Sequence, residues 1–167
     1  MEGAKIELVK QSLKVLIQLM DKNDRLALIL FNESGKLFLA LNYITKENKN
    51  HYINKIDEIK AEGGTSIITG LEIAINIIKK DTDINKSNRA CSILLLSDGC
   101  DNNLNDLEIA QRLKNLTKGK NLSFTLNTFG YGNDHDPIIM KKLASKEMVL
   151  FFMLKNIKEW LNILVLF

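Results

Sequence analysis

The hydrophobic pattern near the start of the chain predicts an amphipathic helix and then a hairpin. Between residues 6 and 20, apolar side chains recur every three or four positions, at Ile6, Val9, Leu13, Leu16, Ile17 and Met20. This spacing is that of one helix face. The continuous apolar run 26–31 is typical of a strand buried on both faces. Turn-forming residues at 32–35 and a second apolar run at 37–41 predict that the two strands pair as a hairpin.

The rest of the chain alternates helical spacing with short apolar runs. The predicted helices span 46–60, 68–80, 106–116, 136–145 and 156–164, and the predicted strands span 90–96, 122–129 and 148–154. Strands that alternate with helices predict an α/β fold, with a doubly wound, mostly parallel sheet covered by helices on both faces. The hairpin adds one antiparallel edge strand to that sheet.

Composition narrows the class of protein. The chain has 167 residues, of which 46% are hydrophobic and 26% are charged, so we expect one globular domain over 1–167. The net charge is +3 with scattered lysines, which argues against a nucleic-acid partner. No apolar stretch is long enough for a membrane span. Residues 1–10 do not resemble a signal peptide, and Cys91 and Cys100 lack zinc or disulfide spacing, so we expect a cytoplasmic protein.

Candidate chemistry gathers in loops that follow the predicted strands, because ligands bind outside the carboxyl ends of parallel strands. Asp98 ends a strand and precedes Gly99, so its carboxylate is either a ligand for Mg²⁺, Mn²⁺ or Ca²⁺ or the start of a turn. Thr65 follows Gly63 and Gly64. Its hydroxyl either faces a metal or caps the next helix, and the local sequence favours the cap.

An enzymatic alternative uses the same edge. A metal-assisted hydrolase on a Rossmann-like sheet would use Asp98, Asp101 and His135, and it would also need a second carboxylate cluster and a closed pocket, neither of which the sequence clearly offers. No serine or cysteine stands in a nucleophile context beside His135, so the local sequence favours a structural loop histidine.

Four segments, in order, resemble a von Willebrand factor type A (vWA) domain. They are residues 1–10, Gly63-Gly64-Thr65 with the helix that follows, Ile93-Leu94-Leu95-Leu96-Ser97-Asp98-Gly99, and residues 128–137 with Leu143 and Ala144. The resemblance implies a six-stranded doubly wound sheet. It also implies a non-enzymatic, intracellular module that binds another protein through a metal-ion-dependent adhesion site (MIDAS).

The resemblance also implies which residues belong to that site. The family uses an Asp-x-Ser-x-Ser loop, a threonine and an aspartate, and Thr65 and Asp98 match the last two. The surrounding binding loops would then contain Gly63, Gly64, Ser97, Gly99 and Asp101. A bound Mg²⁺ or Mn²⁺ would keep one coordination position open for an acidic side chain of the partner.

One departure from the family pattern weakens that expectation. Met1 falls where the family commonly has the Met that follows the Asp-x-Ser-x-Ser loop, so the first, central strand and three ligands are expected to be missing. Metal binding is then expected to be weak or absent, and a fragment without independent function is an alternative. Strands 26–31 and 90–96 would face each other across a gap, which they close or which another segment or chain fills.

Overall fold

The computed structural model describes residues 4–61, 63–82, 90–97, 106–118, 122, 124–131 and 151–154. Nine elements lie in these ranges, and their alternation agrees with the predicted α/β fold. The helices are α1 (Ala4–Leu19), α2 (Lys46–Asp57), α3 (Ile67–Lys80) and α4 (Asp106–Thr117). The strands are β1 (Arg25–Phe31), β2 (Gly35–Tyr43), β3 (Ser92–Ser97), β4 (Thr125–Tyr131) and β5 (Phe151–Leu154).

Helix α1 buries the face that its spacing predicts. Val9, Leu13 and Ile17 are at most 6% exposed, because residues three or four apart lie on one side of a helix. The helix is followed by a turn in which the Asp24 amide donates to the Asp21 carbonyl at 3.0 Å. The turn reverses the chain into β1.

Helix α2 begins at a capping box. The Asn48 amide donates to Thr45 Oγ1, and the Thr45 amide donates to Asn48 Oδ1 at 2.9 Å, which satisfies two amides at the helix start. Its buried residues, Tyr52 and Ile56, belong to the same core cluster as the α1 face. The helix that the sequence predicts over 46–60 is thus present, and it ends at Asp57.

The strands form two separate sheets among the described residues. Strands β1 and β2 pair antiparallel with Phe31 opposite Gly35, which confirms the hairpin. Strands β3, β4 and β5 pair in parallel in that order. No ladder joins β1 to β3 in the part of the chain that the structure describes.

A cavity of about 1190 Å³ lies between the two sheets. Every residue of β1 from Arg25 to Phe31 lines it, and so does every residue from Ala90 to Ser97. We call this cavity the slot. The gap that the sequence predicts is thus present, and β1 and β3 do not close it.

Side chains of β1 and β3 alternate between two core clusters on opposite faces of the sheets. One cluster contains the α1 face, and the strand residues packed against it are Leu26, Leu28, Leu30, Leu94 and Leu96. The other contains Ile67 and Leu71 of α3, and the strand residues in it or against it are Phe31, Ile93 and Leu95. Helices α1 and α3 therefore cover the two faces, as a doubly wound fold requires.

The predicted full burial of β1 is wrong. All seven of its residues are only half-buried, because one edge of the strand lies against the slot instead of a neighbouring strand. Strand β3, also predicted to be buried, has Leu95 and Ser97 buried but Ser92 exposed.

The remaining sequence expectations fall partly on described residues and partly outside them. Cys91 is a free thiol, and no helix among the described residues is long and apolar enough to cross a membrane. The predicted helices 136–145 and 156–164 lie outside the described residues, as do Cys100 and His135.

Candidate functional site

The turn between β1 and β2 is held by Asn32. Its side-chain Oδ1 accepts from the Ser34 amide at 2.9 Å, and its own amide donates to the Ser34 carbonyl at 3.0 Å. An asparagine that accepts from the amide two residues onward mimics a backbone turn. The turn therefore has a fixed shape where β1 ends.

The loop that enters α3 is fastened to this turn. The Ser66 amide donates to the Asn32 carbonyl at 2.7 Å, and the Gly64 amide donates to Glu33 Oε1 at 3.2 Å. Gly63 has a φ of 73°, and a Cβ there would lie 3.3 Å from Asn32 Nδ2. Glycine suits this left-handed, close-packed position. Two loops that are distant in sequence thus form one surface.

Thr65 does not cap α3. The N-cap position belongs to Ser66, which is 4% exposed and makes no side-chain cap hydrogen bond. Thr69 Oγ1 donates to the Ser66 carbonyl at 2.8 Å. The capping interpretation of Thr65 is therefore wrong by one position, because the bond from Ser66 to Asn32 fixes where the helix begins. Thr65 is half-buried and lines the slot.

Ser97 ends β3 and meets the same region. It is 2% exposed and stands in register with Gly130 of β4. Ser97, Gly63, Gly64 and Thr65 all line the slot, and Ser97 stands at the carboxyl end of β3. The other predicted site residues, Asp98, Gly99 and Asp101, lie outside the described residues.

The described side chains do not fit a tightly held divalent ion. No group of three or more His, Cys, Asp or Glu side chains in the described ranges is placed to hold a metal. The hydroxyl groups of Thr65 and Ser97 are uncharged as metal ligands. The Glu33 carboxylate accepts a hydrogen bond from the Gly64 amide. Mg²⁺ needs several well-placed oxygen ligands in near-octahedral geometry. The described residues by themselves supply too few such ligands.

Sequence reasoning identified the turn at residues 32–35 but missed what Asn32 and Glu33 do there. They hold the Gly63–Ser66 loop through contacts across about thirty intervening residues. The Asn32-Glu33-Ser34 pattern that favours such a turn is present in the sequence. The partner loop was not, because no local pattern encodes a contact at that separation.

Comparison with known proteins identifies the family. The family model described as von Willebrand factor type A domain matches residues 1–164. The chain belongs to this family. A solved von Willebrand factor type A structure from Catenulispora acidiphila superposes with a TM-score of 0.78 at 19% identity, over 95% of this chain and 36% of that one. The family expected from the four sequence segments and its Rossmann-like α/β fold are thereby confirmed.

Two further proteins extend the comparison. Uncharacterized protein sll0103 of Synechocystis sp. is 28% identical over 162 residues, which are 97% of this chain and 36% of that protein. The manganese-loaded TRAP protein of Plasmodium vivax superposes with a TM-score of 0.63 at 18% identity, over 96% of this chain and 64% of that one. This vWA chain thus spans 36% of the length of its Synechocystis relative. Domains of the vWA family are mostly non-enzymatic interaction modules.

Proposed function

We propose that this vWA chain is a non-enzymatic protein-binding module. Its binding surface is the loop surface, defined as Asn32–Ser34, Gly63–Ser66 and Ser97. The observation that carries the proposal is the pair of hydrogen bonds that join the first two loops. A surface whose backbone is already fixed loses little conformational entropy when a partner binds.

Asp98, Gly99 and Asp101 follow Ser97 directly in the sequence and extend the proposed surface. Thr65 and Asp98 match the threonine and aspartate of the family's metal site. An ion bound between them would contribute positive charge and an open coordination position for an acidic side chain of the partner. We propose that these residues alone hold Mg²⁺ or Mn²⁺ weakly, and that partner binding depends mainly on the loops themselves.

The metal part is tested by calorimetric titration of the 167-residue chain with Mn²⁺ and with Mg²⁺. We expect a Kd weaker than about 100 μM, in the range of weak protein sites for divalent ions. Asp98→Ala should remove the remaining heat, while Asp57→Ala on α2 serves as a carboxylate control. A low-micromolar Kd that disappears in Asp98→Ala would contradict weak binding.

The protein-binding part is tested with acidic peptides selected by phage display against the chain. We expect selected peptides to lose at least about tenfold in affinity on Glu33→Ala, which releases the Gly64 amide and loosens the surface. Glu58→Ala is the matched control, because Glu58 is an exposed glutamate paired with Lys55 on α2. Peptides that bind both variants as tightly as the parent chain would place the interaction elsewhere and refute the proposal.

A further inference from the structure

Strand β1 and helix α3 run antiparallel and are joined at both ends. Arg25 is the first residue of β1, and its guanidinium donates to both carboxylate oxygens of Asp81, the C-cap of α3, at 2.9 and 3.2 Å. Asn32 directly follows β1, and its carbonyl accepts from the amide of Ser66, the N-cap of α3, at 2.7 Å. We call the Arg25–Asp81 pair the far junction and the Ser66–Asn32 bond the loop junction.

The strand and the helix have matching lengths between these junctions. Arg25 and Asn32 are seven residues apart, which is roughly 23 Å at the rise of a strand residue. Ser66 and Asp81 are fifteen residues apart, which is roughly 22 Å at the rise of a helix residue. Both junctions can therefore close only at one position of α3 along its axis. A slide by one helix residue, about 1.5 Å, would misalign the hydrogen bonds at both ends together.

The contacts between the two ends bring α3 close to the hairpin. A Cβ on Gly70 of α3 would lie 2.8 Å from the Phe31 ring, and a Cβ on Gly35 would lie 2.6 Å from the Thr69 carbonyl oxygen. No glycine side chain stands between the elements at these points, and apolar contact is non-directional. Packed helices can slide past their neighbours over small distances. Hydrogen bonds are directional, so the two junctions define where α3 lies along β1.

The far junction has the geometry and the burial for this role. The side chains of Arg25 and Asp81 are 12% and 16% exposed, and their paired hydrogen bonds are strong and directional. The guanidinium also lies 5.7 Å from the centre of the Tyr43 ring. The Lys14–Asp57 pair, by contrast, is 31% and 58% exposed, and solvent screens such a pair.

We propose that Arg25 and Asp81 are positioning residues for the loop surface. Their pair fixes α3 along its axis and so holds the Ser66 and Gly64 amides on the hairpin turn, at the opposite end of the helix. Opening the far junction then loosens the loop surface without touching it. The positioning role stands on the geometry alone, whereas its effect on partner binding rests on the proposed function.

The test replaces the ion pair with apolar side chains, Arg25→Met together with Asp81→Leu. Replacing a largely buried pair in this way is often neutral for stability, but it removes the directional bonds. We expect hydrogen exchange of the Ser66 and Gly64 amides, followed by NMR in the 167-residue chain, to become at least about tenfold faster. Exchange of the Phe129 amide in β4 should change less than about twofold, because β4 has no part in either junction.

Two further variants accompany the double substitution. Lys14→Met with Asp57→Leu is the matched control, because it removes an ion pair that joins α1 to α2 and should leave exchange at the loop junction unchanged. Arg25→Lys keeps the charge and loses the paired geometry, so exchange of the Ser66 amide should be accelerated by an intermediate factor. It repeats the test with a smaller change if the double variant does not fold.

Three outcomes would overturn the positioning role. They are unchanged exchange at the Ser66 and Gly64 amides, equal acceleration at Phe129, which would mean a general loss of stability, and equal acceleration in the Lys14 and Asp57 control. The peptides selected against the loop surface should bind the double variant at least about threefold more weakly. Faster exchange at the loop junction with unchanged peptide affinity would support the positioning role and refute the loop surface as the binding site.

Discussion

Strands β1 and β4 differ in how well the apolar character of their sequences matches the burial of their residues. The β1 sequence, Arg-Leu-Ala-Leu-Ile-Leu-Phe, has six apolar residues after its arginine, yet all seven positions are only half-buried. The β4 sequence, Thr-Leu-Asn-Thr-Phe-Gly-Tyr, is more polar. Nevertheless, Asn127 and Thr128 are at most 1% exposed.

The difference comes from sheet neighbours. Strand β4 lies between β3 and β5, whereas β1 has β2 on one edge and the slot on the other. Burial in a sheet thus depends on pairing at both edges as well as on the side chains. It follows that β4 residues should contribute more to stability than equally apolar β1 residues, and that β1 should depend more on its helices.

The largest expected effect comes from replacing a leucine in each strand, which tests the comparison of β4 with β1 directly. Leu126 of β4 is 6% exposed, so Leu126→Ala should lower the free energy of unfolding by about 3 kcal/mol. Leu28 of β1 is half-buried beside an existing cavity, so Leu28→Ala should cost roughly half as much. Urea unfolding measures both. Equal losses would mean that the slot is filled in solution and that the comparison fails.

A substitution at the start of β2 tests the dependence of the hairpin on α3. A Cβ on Gly35 would lie 2.6 Å from the Thr69 carbonyl oxygen of α3. Because a helix carbonyl cannot move aside alone, Gly35→Ala should destabilise the chain by about 2 kcal/mol.

Gly70→Ala is the control for this substitution. A Cβ on Gly70 would meet the Phe31 ring at 2.8 Å and Phe31 Cβ at 3.2 Å. Because Phe31 lines the slot, we expect its ring to shift. The loss should be smaller than for Gly35→Ala. A larger loss in Gly70→Ala would show that Phe31 is fixed and that β1 is packed as tightly as β4.

The start of β1 is also fastened to the end of α3. Arg25 Nη1 and Nη2 donate to the two oxygens of Asp81 at 2.9 and 3.2 Å, and the guanidinium lies 5.7 Å from the Tyr43 ring centre. Arg25→Lys keeps the charge but loses the paired geometry. We expect a loss of about 1 kcal/mol in chemical unfolding.

The exposed pair Lys14–Asp57 supplies the control for that loss. Lys14→Arg should change the free energy of unfolding by less than about 0.5 kcal/mol, because exposed ion pairs contribute little. If Arg25→Lys changed the free energy of unfolding as little as Lys14→Arg, the hydrogen bonds from Arg25 to Asp81 would not help to hold β1.

The sequence predicted the parts of the fold that local spacing determines. The α1 face, the hairpin and the helix–strand alternation follow from periodicity and turn residues, and all agree with the structure. The half-burial of β1 could not be predicted from its own residues, since it depends on what lies beside the strand. The start of α3 was displaced from Thr65 to Ser66 for a related reason, because the deciding bond comes from Asn32.

The smallest expected effect concerns a thiol on the slot. Cys91 precedes β3 and lines the slot. Burial raises the pKa of the Cys91 thiol, and the Asp81 carboxylate raises it further, while Arg25 opposes the shift. A raised pKa leaves less thiolate at a given pH, so alkylation should be slower than that of an exposed cysteine.

The test measures the pH dependence of iodoacetamide labelling in a Cys100→Ser background. The midpoint of the labelling rate should lie above that of an unperturbed cysteine. Asp81→Asn removes one cause of the raised pKa and lets Arg25 act alone, so it should move the midpoint down and speed labelling a fewfold. Asp57→Asn, on α2, should leave the profile unchanged. If Asp81→Asn left the midpoint unchanged, the Arg25–Asp81 pair would have no electrostatic effect on the Cys91 thiol. The segment before β3 would then be uncoupled from the start of β1, to which no described ladder joins β3.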